Sequence, residues 1–276
     1  MKEAIGNVLV VKVGTSTLTQ KQVNGTERLD ITAFERIGEQ LVELQKVGTG
    51  IVLVSSAAIT AGIAEVGLSV RPNRTTHMHE LQRLASIGWR QVLNTWSDAM
   101  GGTTIGELLL TQHELNLRRE HDQLLRVTHT LLSHGDIVVA NENDAITHKE
   151  IAFGDNDSLA ATFAAQIKHS ALFGGSVRLV ILTDVHGVYA NKDDTSSIIR
   201  HIDRIADYRH LAGGAGSRHG TGGMVTKFDA ARIATENGVT MFIANGRTEG
   251  AIKQALAGEI GAKFTCSAQL AGVVKQ

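Results

Sequence analysis

Val8-Leu9-Val10-Val11-Lys12-Val13 is an apolar run interrupted by a single charge, with Gly6-Asn7 before it and Gly14-Thr15-Ser16-Thr17 after it. Apolar residues at successive positions place hydrophobic side chains on both faces of a strand, which is the condition of a parallel strand covered by helices above and below. Lys12, near the carboxyl end of that strand, is the one residue that burial alone does not explain.

Working outward, the same pattern recurs. Asp30 is a plausible N-cap for a helix over Ile31–Val47, with Phe34, Ile37, Leu41 and Leu44 on its apolar face and Gly48 and Gly50 to stop it. Ile51–Val54 reads as a second buried strand, ending in Ser55-Ser56-Ala57-Ala58. Helical periodicity follows over Ala57–Leu68 and His79–Met100, with the single proline, Pro72, between them. Further strands are predicted at Ile105–Leu110, Asp136–Ala140, Val177–Leu182, Thr240–Ile243 and Ala262–Thr265. Helices are predicted over Arg119–His134, Ser158–His169 (Asp157 as N-cap), Ile202–Leu211, Phe228–Asn237 and Glu249–Leu256, and a short hairpin over Ile146–Phe153. Strands alternating with helices define an α/β chain, a three-layer αβα sandwich around a central, mostly parallel open sheet. The 276 residues suit one domain of two lobes, 1–170 and 171–276, with a soft boundary near Ser170–Ser176.

Composition narrows the function. A formal net charge of −1 gives no global electrostatic case for nucleic acid or an anionic membrane. No apolar run reaches the roughly 18 residues a spanning helix needs, and no signal peptide precedes the first strand, so a cytoplasmic protein is expected. The single cysteine, Cys266, excludes an internal disulfide and a cysteine-based metal cluster. The twelve histidines are scattered, with His77 and His79 the only close pair, and read as surface and loop residues.

Ligands of open α/β sheets bind outside the carboxyl ends of the strands, and that is where the polar residues collect. Lys12 and Gly14 follow the first strand, Ser56 the second, Asn141–Asp144 another, and Thr183-Asp184 the strand from Val177. Gly154-Asp155-Asn156-Asp157 opens a helix, and so does Gly220-Thr221-Gly222-Gly223-Met224-Val225-Thr226-Lys227. Glycines before a helix let backbone N–H groups face an anion, and a lysine in the first turn adds a full charge. The stretch is not a P-loop, because no glycine precedes Lys227 at the required place. A Gly-x-Ser-x-Gly elbow and the Gly-x-Gly-x-x-Gly dinucleotide fingerprint are both missing. Two lysines suit phosphate oxygens, and the acidic and amide residues suit an ammonium group, Mg²⁺ or the lysines themselves. The residues read as phosphoryl transfer by positioning, without a covalent intermediate.

Lys12–Ser16, Val54–Ile59, Asn141–Ala145, Gly154–Asp157, Leu182-Thr183-Asp184 with Gly187 and Tyr189, and Gly220–Lys227 together resemble the amino acid kinase superfamily, and within it the glutamate 5-kinase family. The resemblance implies transfer of the ATP γ-phosphoryl group, with Mg²⁺, to the side-chain carboxylate of L-glutamate, the first step of proline synthesis. It implies catalytic roles for Lys12, Lys227 and Asp157, and glutamate binding by Ser56, Asp144 and Asn156 in the N-terminal lobe. It assigns ATP to Lys12, Gly14, Thr183, Asp184, Thr221, Gly222, Gly223, Met224, Val225, Thr226 and Lys227, and predicts no direct protein ligand to the metal. It further implies a homo-oligomer (dimer or tetramer), proline as a feedback inhibitor, and functional coupling to glutamyl phosphate reductase. The chain ends soon after the kinase region, so no C-terminal PUA domain and no RNA binding are expected. Two positions depart from the family pattern: Ala57 stands where glycine is usual, and Phe228 where an aliphatic residue is usual. The alternatives are another member of the superfamily, such as an aspartate or N-acetylglutamate kinase, and a non-catalytic amino-acid sensor of the same fold.

Overall fold

The structure is a computed structural model that describes residues 5–23, 25–147, 156–212 and 223–265. Its elements in chain order are β1 (Val8–Val13), α1 (Thr15–Leu18), β2 (Thr19–Lys21), β3 (Glu27–Leu29), α2 (Ile31–Lys46), β4 (Gly50–Ser55), α3 (Ala58–Glu65) and α4 (Met78–Ala99). Next come β5 (Ile105–Leu110), α5 (Gln112–Asn116), α6 (Arg118–Ser133), β6 (Ile137–Glu142), α7 (Asn156–His169), β7 (Val177–Thr183), β8 (Val188–Tyr189) and β9 (Ile198–Ile199). The described chain closes with β10 (His201–Ile202), α8 (Ile205–Tyr208), α9 (Met224–Glu236), β11 (Thr240–Asn245), α10 (Ala251–Ala257) and β12 (Ala262–Phe264).

Eight strands form one sheet in the order β10-β12-β11-β7-β1-β4-β6-β5. Pairing is parallel throughout except between β11 and β12. The strand that opened the sequence lies in the middle, and all six of its residues are buried. Its two faces feed two cores. Val8 and Val10 pack with Val52, Val54, Leu179 and Ile181 under α6, α7 and α9. Leu9, Val11 and Val13 pack with Ile51, Leu53, Val180 and Leu182 under α2, α4 and α10. Helices on both faces make the expected three-layer sandwich.

The predicted elements stand, with shifts of one to three residues at most ends. Asp30 caps α2 by accepting the N–H of Ala33 at 3.4 Å. The exception is Ile202–Leu211, which is not one helix: His201–Ile202 pairs with β12, and only the single-turn α8 and a 3-10 turn follow. A strand added by a partner some sixty residues further on carries no local periodicity of its own. The β2–β3 hairpin was likewise too short to show a pattern. Of the predicted hairpin over Ile146–Phe153, Asn143–Thr147 is a hydrogen-bonded turn and 148–153 lies outside the described residues. No helix among the described residues is long and apolar enough to cross a membrane.

The topology fixes where a ligand belongs. From β1 the chain moves one way through α2 to β4; from β7 it moves the other way, through α9 on the opposite face, to β11. The order reverses between β1 and β7, and the crevice at the carboxyl ends of such a pair is where open α/β sheets bind ligands. Lys12, Gly14 and Thr183 sit at that crevice.

Candidate active site

Pleat parity aims Lys12. It shares a face with Val8 and Val10, so its side chain runs toward α7 and α9 and not toward α2. There its Nζ lies 2.8 Å from Oδ1 of Asp157, in the first turn of α7. Lys227, in the first turn of α9, places its Nζ 3.2 Å from Oδ2 of the same carboxylate, and the Thr226 hydroxyl donates to Oδ2 at 3.0 Å. Asp157 is fully buried and both lysines nearly so. Burial by itself would raise the Asp157 pKa, but Lys12 and Lys227 outweigh it and hold the carboxyl down at about 2. At neutral pH the cluster is one carboxylate between two ammonium groups, a net positive centre at the switch point.

The predicted role of Asp157 as an N-cap is corrected by this geometry. The helix begins one residue earlier, at Asn156, and the carboxylate accepts from two lysines and a threonine. The sequence signature of a cap was read correctly as an acidic helix start, but buried lysines compete for the oxygens far better than backbone N–H groups do.

A second network lies on the β4–β6 side. The Asn156 amide donates to the Ser55 carbonyl (3.2 Å), the Ser56 hydroxyl (3.0 Å) and the Asn141 carbonyl oxygen (2.9 Å), and its own oxygen accepts the Glu142 N–H at 3.3 Å. Asn141 is also hydrogen-bonded to Asp144. The three residues assigned to glutamate are thus joined, and Asn141 is the link. It was absent from the candidate list, although it opens the Asn-Glu-Asn-Asp stretch at the end of a strand. The half-buried Asp144 has its pKa raised, first by burial, against the opposing pull of Arg74, Asn141 and Arg71. Ser55 is braced from below: the buried Trp96 indole donates to its hydroxyl at 2.8 Å.

On the other side of β1, Thr183 is buried at the end of β7 and Asp184 is exposed, its Oδ1 accepting the Thr183 hydroxyl at 3.2 Å. Asn245, at the end of β11, donates to the Asp184 carbonyl at 3.3 Å. Gly223 caps α9 without a side-chain hydrogen bond, and Met224, Val225, Thr226 and Lys227 form the first turn of that helix. Of the residues assigned to ATP, Thr221 and Gly222 lie outside the described residues. The glycines that are described are not required by the fold. A Cβ on Gly223 would meet nothing within 4 Å, and one on Gly14, whose φ of −77° suits any residue, would stand 3.5 Å from Lys12 Nζ. Both keep backbone clear beside the lysines, which is what close approach of a phosphate needs.

Among the described residues no group of three or more His, Cys, Asp or Glu is arranged to hold a metal ion. The Asp157 oxygens are engaged by lysines. That donor set fits Mg²⁺ carried on nucleotide phosphates and water, with Asp184 as an exposed carboxylate at the nucleotide side.

The amino acid kinase family pattern matches residues 7–245, so the chain belongs to the amino acid kinase family. Within it the chain is one of the glutamate 5-kinase family. It is 38% identical over 256 residues to the glutamate 5-kinase of Clostridium acetobutylicum, covering 91% of each chain. It is 39% identical to that of Vibrio vulnificus, covering 90% of this chain and 63% of the relative. Among solved structures, the carbamate kinase from Giardia lamblia bound to AMP-PNP superposes with a TM-score of 0.64 at 17% identity, over 95% of this chain and 99% of that one. An isopentenyl phosphate kinase gives 0.61 at 19% identity, over 94% of this chain and all of that one. At such identities the likeness shows the shared fold.

Proposed function

We propose that this chain transfers the γ-phosphoryl group of ATP directly to the side-chain carboxylate of L-glutamate, giving L-glutamyl 5-phosphate for proline synthesis. The observation that carries the reading is the Lys12–Asp157–Lys227 cluster, which stands beside the Ser56–Asn156–Asn141–Asp144 network at the carboxyl ends of neighbouring strands. A carboxylate is a poor nucleophile toward a polyanionic phosphate because both reactants repel. Two buried ammonium groups, held in place before reaction by one carboxylate, offset that repulsion and meet the charge that spreads over the transferring group. Lys12 reaches it from the sheet and Lys227 from the nucleotide side. Asp157 orients both and takes no proton. When bound, Mg²⁺ would neutralise phosphate charge beside them.

Thr183, Asp184 and the Gly14 and Thr221–Lys227 loops hold the nucleotide in this reading. Asp144 pairs with the substrate ammonium, and Ser56 and Asn156 align the rest. Residues 1–170 then form the glutamate-binding part and 171–276 the nucleotide-binding part of one domain. L-Proline carries the same α-amino acid end and would compete for Asp144. The acyl phosphate hydrolyses readily in water, which favours prompt use by a glutamyl phosphate reductase, and kinship favours a dimer or tetramer. ADP release by the purified protein, measured across L-glutamate, L-aspartate, N-acetylglutamate and carbamate, is expected to depend on glutamate. Equal release with any of the others would overturn the substrate assignment.

A further inference from the structure

Asp144 does not stand alone at the outer end of the second network. The chain between α3 and α4 brings Arg71 and Arg74 within electrostatic reach of its carboxylate, and Arg71 also faces Glu27 on the β2–β3 hairpin. That segment is fixed locally. Asn73 accepts the Thr75 N–H on its side chain (2.8 Å) and the His77 N–H on its carbonyl (2.9 Å). Gln82, in the next turns of α4, donates to the Thr147 carbonyl at 3.1 Å and so ties α4 to the turn that carries Asp144. Nothing proposed above uses the arginines.

Their charges are poorly matched by the protein alone. Asp144 keeps a raised pKa even with two guanidinium groups opposing the effect of burial. Arg71 keeps a lowered one, from lost hydration first and from Arg74 beside it, although Glu27 and Asp144 pull the other way. The carboxylate wants another cation and the arginines another anion. A free α-amino acid supplies both, an ammonium and a carboxylate on one carbon. The site also has a direction: a substrate whose side-chain carboxylate faces Lys12 and Lys227 has its α-carbon at the far end, toward Asp144.

We infer that Arg74, assisted by Arg71, binds the α-carboxylate of the amino-acid substrate, so that Asp144 and the arginines read its two α-charges as a pair. This rests on the proposed function and adds specificity residues to it. A guanidinium presents two parallel N–H donors to a carboxylate, a geometry that a lysine does not reproduce.

The test compares L-glutamate with L-isoglutamine, which keeps the side-chain carboxylate but has an uncharged amide at the α-position. Losing a charge-assisted bond of this kind costs on the order of 10- to 100-fold in KM. The unmodified protein is expected to show that gap between the two acceptors. Arg74→Gln is expected to raise KM for glutamate by a similar factor, leave KM for isoglutamine and for ATP nearly unchanged, and so close the gap. Arg74→Lys is expected to recover part of it, and Arg71→Gln to move KM in the same direction. An unaltered glutamate preference in Arg74→Gln, or an equal loss with both acceptors, would overturn the assignment. Absence of any glutamate-dependent ADP release from the unmodified protein would instead overturn the proposed function, and this inference with it.

Discussion

Asp157 is the residue on which the electrostatics turn. Its carboxyl is held at about 2 against an ordinary value of 3.8. A depressed carboxyl stabilises the fold at pH values above 3.8, and that contribution is lost as the pH falls toward 2. The shift corresponds to about 2 kcal/mol. In Asp157→Asn this acid-dependent portion is absent, so urea unfolding followed from pH 5 downward is expected to be flatter between pH 4 and 2 than in the unmodified protein. Parallel curves would contradict the account. Ala57 is the other telling residue. It is the one non-glycine with positive φ among the described residues, at 82°, immediately after Ser56. A Cβ in the left-handed region costs roughly 1–2 kcal/mol. Ala57→Gly relieves that and returns up to about 1 kcal/mol as freedom of the unfolded chain, so a net stabilisation of up to about 1 kcal/mol is expected in urea unfolding, and a destabilised variant would refute the strain. The departure at Phe228 carries no such cost, for its ring is fully buried and edge-on to Phe264 at 5.7 Å.

Elements hold these residues in place by close packing. Helices α3 and α4 cross on small residues: a Cβ on Gly88 would fall 2.0 Å from the Ala58 carbonyl oxygen and 2.2 Å from the Gly62 nitrogen. Because α3 begins two residues after Ser56, any separation of the pair moves the end of β4. Gly88→Ala is expected to lower stability by about 1–3 kcal/mol, the usual range for overpacking, and to raise KM for glutamate more than KM for ATP. A variant with unchanged stability and kinetics would mean that the crossing does not position the site. At this scale the sequence was readable where periodicity is local. The central strand, α2 with its Asp30 cap and the long α4 follow from apolar spacing alone. It was unreadable where the determinant is remote: β10 needs β12, and Asn141 gains its importance only from Asn156 and Asp144, which meet it across a turn and a helix start.

Across the whole molecule, strand parity and strand order do the assembling. Lys12 could be singled out from its sequence as a charge in a buried strand, yet its partner could not, because Asp157 reaches it only after the chain has crossed the sheet. Position at strand ends, taken together, located the site; the identity of each contact required the fold, and the arginines near Asp144 were passed over because they lie in an irregular segment with no motif. The central claim is that the product is an acyl phosphate on the glutamate side chain. It is tested most directly by running the reaction with ATP, Mg²⁺, L-glutamate and hydroxylamine, and fragmenting the trapped product in a mass spectrometer. The account predicts γ-glutamyl hydroxamate in step with ADP, and a rate lower by on the order of 10²–10³ for Lys227→Ala. ADP without hydroxamate, or hydroxamate on the α-carboxyl, would contradict it.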